Sequence, residues 1–148
     1  MAKSFGSYAI VEPVTHHFDK EDKWWWKITP PTSGDELNIS KFLISARTEL
    51  GIDGVRRDYP PTNIEVAHRE IALCFGGTNI PMDDEKPVED GGDPIVKVGM
   101  HVEVIEAVLR SMPHEMVLEI WGALADAAPG WGPIRPKVKK TEPVTTSS

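Results

Sequence analysis

Apolar residues recur at helical spacings along four stretches of this chain, and an aromatic, β-favouring run precedes them. Near the start, Tyr8, Ile10 and Val14 are followed by the run Lys23 to Thr29. This pattern predicts two strands, with the polar stretch Asp19 to Asp22 as the turn between them. Pro13 places the first strand at an edge, and Pro30 with Pro31 ends the second, because proline cannot donate a ladder hydrogen bond. The chain therefore begins with a hairpin.

The first helical stretch is announced by Thr32 and Ser33 standing before Asp35 and Glu36. The spacing Ser33 to Glu36 is a capping box, with acids in the electropositive first turn. Leu37, Phe42, Leu43, Ala46 and Leu50 fall on one stripe, and Gly51 is placed to end the helix in the left-handed conformation. These signals predict a helix from about Gly34 to Leu50. The same opening returns at Pro60, Pro61 and Thr62, where Thr62 to Glu65 forms a second box. Ile64, Ala67, Ile71, Cys74 and Phe75 supply the apolar face, and Gly76 with Gly77 closes the segment. The residues after the two Pro-Pro-Thr triplets do not align, so shared helix-start chemistry explains them better than duplication.

Ile95, Val98, Val102, Ile105, Leu109 and Met112 predict a third helix, opened by Asp93 and Pro94. Val96, Val98, Gly99 and Val102 are poor helix formers, so a short strand from Ile95 to Met100 is the alternative. Ser111 and Pro113 start a fourth helix with Val117, Ile120, Trp121, Leu124 and Ala128 on one face, ended by Pro129 and Gly130. The tight connection predicts that the third and fourth helices pack as an antiparallel hairpin. The expected fold class is mainly α with an N-terminal β-hairpin, about four amphipathic helices, long loops and a disordered C-terminal tail. Residues 1–134 form a single globular domain, and 135–148 form a basic, Pro/Thr/Ser-rich flexible tail.

Composition sharpens this picture. A chain of 148 residues buries roughly 70% of its unfolded surface, enough for one core without staples. The 13 Pro and 12 Gly exceed what compact helices need and imply long connections. The single cysteine, Cys74 in the run IALCF, excludes an internal disulfide and reads as a buried small hydrophobe in a reducing compartment. The first residues lack the continuous apolar stretch of a signal peptide, and no window approaches the ~18 apolar residues of a membrane span. The expected location is the cytoplasm. A net charge of -7 disfavours general nucleic-acid binding. Charge is nonetheless segregated: Met82 to Asp93 is acidic, and Arg135 to Lys140 carries Arg135, Lys137, Lys139 and Lys140 with no acid.

Catalytic motifs do not emerge. His16, His17, His68, His101 and His114 have no metal-ligand spacing, and the acidic run DDEKPVEDGGD lacks the alternating oxygen donors of an EF-hand. There is no G-x-S-x-G elbow and no phosphate-cradling glycine loop. Glu115 and Glu119 lie four apart, the pattern of an exposed helix face. The expectation is a non-enzymatic protein without cofactor or metal. Tryptophan is the unusual feature. Trp24, Trp25 and Trp26 are consecutive, so strand alternation sets Trp25 opposite the other two and leaves one large aromatic for solvent, a neighbouring loop or a partner. Aromatics of this kind are enriched at binding hot spots. Trp131, in GWGPIRP, either clamps the chain onto the core or serves recognition. The candidate partner-binding residues are Trp24, Trp25, Trp26 and Trp131, with Lys137, Lys139 and Lys140 of the tail.

The stretches WWWKITPPTSGDELNISKFL and MPHEMVLEIWGALADAAPGW, with the Pro- and Lys-rich end that follows, resemble the small tail assembly chaperones of long-tailed bacteriophages. The resemblance covers the hairpin, the first helix and the last helix, and no named pattern matches Gly51 to Asp93. It implies a mostly helical protein in the host bacterial cytoplasm that binds the tape measure protein and leaves the finished virion. Its partners would be the tape measure protein or other tail proteins, with self-association also open and neither nucleic acid nor membrane involved. A longer form made by ribosomal frameshifting is implied too, with the Lys139-Lys140 codons as a candidate slippery run. Two other readings stand beside it. One is a permanent virion component, such as a head-tail adaptor or minor tail protein. The other is an enzyme or metal-dependent regulator built on the histidines and the acidic loop.

Overall fold

A computed structural model describes residues 12–45 and 47–128. Tyr8, Ile10, Trp131, Arg135, Lys137, Lys139, Lys140 and the whole 135–148 tail lie outside the described residues. Four helices and five short strands occupy the described part: β1 Val14–His17, β2 Trp25–Ile28, α1 Ser33–Ile44, β3 Arg47–Leu50, β4 Arg56–Tyr59, α2 Asn63–Leu73, β5 Phe75–Thr78, α3 Val102–Ser111 and α4 His114–Ala127. The architecture therefore mixes α and β rather than being mainly α.

The expected hairpin is present, with β1 and β2 antiparallel and His17 opposite Trp25. Within this three-stranded sheet, β1 is the edge that Pro13 predicts, and β5 pairs with the other side of β2. The strand β5 was not anticipated: Gly76 and Gly77, expected to close a helix, lie within it. A side chain at Gly76 would meet Thr29 Oγ1 at 2.5 Å, so only glycine lets β5 approach β2 this closely. Trp26 and Ile28 point inward and are fully buried, and Trp26 meets Phe75 edge-on with ring centroids 5.0 Å apart.

Both predicted helix starts exist. Thr32 caps α1 and Thr62 caps α2, each in a reciprocal box with Asp35 and Glu65 respectively. The α1 box thus uses Thr32 and Asp35 in place of Ser33 and Glu36. Helix α1 also ends earlier than expected, at Ile44, where the Ser45 hydroxyl donates to the Phe42 carbonyl. Its buried stripe is Ile39 with half-buried Phe42 and Leu43, while Leu37 is exposed. Arg47 to Leu50 is a strand, and Gly51 caps no helix. Instead, Gly51 N–H donates to the Val55 carbonyl, its carbonyl accepts from Gly54, and Gly54 takes φ +80°. This is a three-residue hairpin loop whose left-handed position calls for glycine. The signal for it was Asp53-Gly54.

Ile95 to Met100 forms neither the helix nor the strand expected. It follows an isolated bridge between Pro81 and Pro94, and Ile95 N–H donates to the Ile80 carbonyl. Val96 is buried here. Helix α4 matches its predicted apolar face, with Val117, Ile120, Trp121 and Leu124 buried. Helices α3 and α4, however, each pack more extensively on α2 than on one another.

Helix α2 is buried around most of its circumference and carries charge inside. Arg69 reaches across to α1, donating to Asn38 at 3.3 Å and lying 4.6 Å from the Phe42 ring centroid. Its Nε also stands 2.8 Å from a Glu106 carboxylate oxygen on α3. Glu70 accepts from the Trp121 indole of α4 at 2.9 Å. Burial pushes the Glu106 carboxyl up from its ordinary value, and the Arg69 guanidinium pulls it partly back. Burial also holds the His68 imidazole below its ordinary value, helped by the positive charges of Arg110 and His114.

Two outcomes follow. Arg69→Met strands the Glu106 carboxylate in a largely buried site and is expected to cost about 3–5 kcal/mol in denaturant unfolding, whereas adding Glu106→Leu recovers most of the loss. His68 is neutral in the fold, so the unfolded chain binds the extra proton first as pH falls. Its contribution is complete above its ordinary value of 6.5 and is lost as pH drops through that value towards the lowered one. A thermal melt series should therefore show a decline below that pH that His68→Gln flattens.

Candidate partner-binding surface

Trp24 sits where the β1–β2 connection enters β2, and the backbone on both sides of it is fixed. Trp24 N–H donates to the Glu21 carbonyl at 3.0 Å, and the Trp24 carbonyl accepts from Phe18 at 3.2 Å. From the far side, the buried Asn79 amide donates to the Lys23 carbonyl and accepts from Trp25 N–H, both at 2.8 Å. The connection is also pinned to α4. His16 Nε2 lies 2.8 Å from Glu119, which accepts Asp19 N–H as well, and Lys20 pairs with Glu115 at 3.0 Å. Glu119, expected on a solvated face, has a side chain only 18% exposed and works as this anchor.

So held, the half-buried Trp24 indole walls two neighbouring concavities. The first, about 570 Å³, lies between it and the acidic loop, with Glu21, Asp84, Glu89 and Asp90 against Lys23. Lys23 is itself 3.4 Å from Glu21. The second, about 280 Å³, lies between Trp24 and the start of α4, floored by Phe18, Pro113 and Met116 and edged by Lys20, Glu115 and Glu119. An aromatic wall with carboxylates on one side and apolar side chains on the other suits a polypeptide that offers a cation beside an apolar group. The acidic run is an ordered loop closed at its base, where Met82 N–H donates to the Asp93 carbonyl. Gly92 packs against the Lys86 carbonyl with no room for a side chain.

The predicted partner residues separate. Trp26 is fully buried and belongs to the core, so it is no contact residue. Trp25 lies on the opposite sheet face, as alternation requires, but half-buried over Gly77, where an added Cβ would stand 3.6 Å from the indole. Lys27 Nζ is 5.8 Å from its ring centroid. Trp24 and Trp25 are both half-buried, and Trp24 also packs against the core; what distinguishes Trp24 is that its ring borders both concavities. Sequence reasoning did not single out Asn79, Phe18 or Met116 for this surface; the hydropathy of Phe18 and Met116 signalled burial, and nothing signalled Asn79.

The remaining candidates are accounted for structurally. Burial pushes the Cys74 thiol up, away from the reactive thiolate. His17 Nδ1 lies 3.2 Å from the Asp22 carbonyl, and His101 contacts Glu103 at the start of α3. Among the described residues, no group of three or more His, Cys, Asp or Glu side chains is arranged to hold a metal ion, and no helix is long and apolar enough to cross a membrane. Comparison with known proteins finds no matching family model, curated protein or solved structure.

Proposed function

We propose that this chain is a non-catalytic binding protein that holds a segment of another polypeptide against Trp24, and that it acts as a tail assembly chaperone for a phage tape measure protein. The observation that carries the reading is the Trp24 indole standing between an acidic and an apolar concavity. A chaperone for an extended helical client needs an aromatic anchor and an apolar seat, with charge to set the orientation, and it needs no reacting group. Four carboxylates around the first concavity favour a client segment that carries Lys or Arg beside its apolar stripe. The resemblance in the aromatic strand and in the last helix supplies the identity of the client. Leaving the finished virion, as that resemblance implies, separates this role from that of a permanent head-tail adaptor or minor tail protein.

Co-expression with a tape measure protein from the same genome tests the proposal. The expected outcome is a soluble complex with the natural chain and a sharp fall in soluble tape measure with Trp24→Ala or with Glu89→Lys/Asp90→Lys. A tape measure protein equally soluble without this chain sinks the reading. Mass spectrometry of purified particles should find the chain missing; stoichiometric presence would make it a virion component instead.

A further inference from the structure

The β3–β4 ribbon stands apart from the sheet and from the helices. Among the described elements its substantial contacts are only between its own two strands, and all four residues of β4 are exposed. A two-stranded ribbon alone is marginal in water, and an unpaired edge is a template for another strand. Apolar side chains lie along it in the open: Leu50 is 66%, Ile52 108% and Val55 48% exposed.

The hydrogen-bond phase of the ribbon determines which groups face outward. Gly51 N–H bonds the Val55 carbonyl, and the register pairs Glu49 with Arg57 and Leu50 with Arg56. Alternation from that bond makes Glu49–Arg57 an inward, hydrogen-bonded pair. It turns the main-chain groups of Arg56 and Asp58 to the free edge of β4. A second β4 can be brought against this edge antiparallel, across a two-fold axis normal to the sheet. Of the registers that align outward groups, the one centred on Arg57 bonds Arg56 of one copy to Asp58 of the other, whereas centring on Arg56 or Asp58 sets like charges together. The same register sets Val55 opposite Tyr59. Both pairings occur twice by symmetry, the charged one joining opposite signs and the other two apolar groups. Arg57 meets its own copy on the axis, where each guanidinium is already neutralised by Asp53 of its own chain at 2.7 Å. Arg56 forms no ion pair among the described residues, and Asp58 is engaged only by the Thr48 hydroxyl at 2.6 Å. The outward residues of β3, Thr48 and Leu50, offer no such pair of charges.

We infer that β4 is a self-recognition edge, through which two copies of this chain join their ribbons into one four-stranded sheet. Pro60 ends β4 and keeps the shared edge short. The contact is far smaller than the ~1,200–2,000 Å² of a standard stable interface, so the dimer is weak and concentration-dependent. It leaves the Trp24 recess out of the interface and does not depend on the function proposed for it.

Sedimentation of the full chain between ~10 µM and ~1 mM tests this. The natural chain should pass from monomer to dimer across the series. Arg56→Asp sets Asp against Asp, and Asp58→Arg sets Arg against Arg, so each variant alone should associate at least about tenfold more weakly. Mixing the two variants restores opposite charges at both positions and should restore the dimer, which also shows that each variant is folded. A natural chain that stays monomeric throughout overturns the inference. So does a dimer indifferent to the single substitutions, or a mixture that stays monomeric.

Discussion

The structure depends on one awkward requirement: α2 is enclosed by its neighbours yet carries His68, Arg69 and Glu70 in succession. Three consecutive helical residues point about 100° apart, so no single exposed face could carry them all to water. Each neighbour therefore supplies a polar partner. Asn38 on α1 and Glu106 on α3 take Arg69, and Trp121 on α4 takes Glu70. The three outer helices are positioned by what α2 needs as well as by the apolar surface they bury. An ion pair of this kind contributes little net stability against an apolar replacement, but losing one partner is costly, which favours a single arrangement of helices.

That arrangement also controls the sheet. The chain leaves α2 through buried Cys74 and enters β5 at once, so the place of α2 dictates which side of β2 receives its third strand. Thr29 N–H donates to the Cys74 carbonyl at 2.7 Å, which extends the pairing to the end of the helix. The close approach over Gly76 then leaves room for Trp26 below the sheet and for Trp25 above Gly77. Trp24, one residue before the strand, has no ladder to join, and the side chains of Asn79 and Glu119, both remote in sequence, hold the connection around it.

Elements with local chemical punctuation were legible in the sequence. Thr32 and Thr62 announce helices because a hydroxyl and an acid three residues apart satisfy orphan donors whatever the tertiary context. The apolar seam of α4 needed only its own period. Other features turned on distant partners. Arg47 to Leu50 continues an apolar spacing begun in α1, and only its pairing with Arg56 to Tyr59 makes it a strand; Asp53-Gly54 was the local hint. Ile95 to Met100 has helical spacing, but its register is taken by Val96 reaching the core and by the bond from Ile95 to Ile80. At the candidate site, strand alternation correctly separated Trp25 from Trp26. Where Trp24 is held depended on Asn79 and Glu119, both remote in sequence.

Leaving a large indole half-exposed beside a well-packed core runs against the hydrophobic effect, so something must oppose its collapse inward. Two features do so here. The space below β2 is already filled by Trp26 and Phe18, and a close-packed interior does not admit another ring without strain. The backbone around Trp24 is held from both sides, by Asn79 and by the contacts of His16 and Asp19 with Glu119, so the point from which the indole projects is fixed at the rim. A rigid aromatic needs little ordering when it binds, and the conformational cost falls on the arriving segment. Holding Trp24 at the rim is thus a consequence of how the core is filled, and it is the condition under which one side chain could anchor a partner.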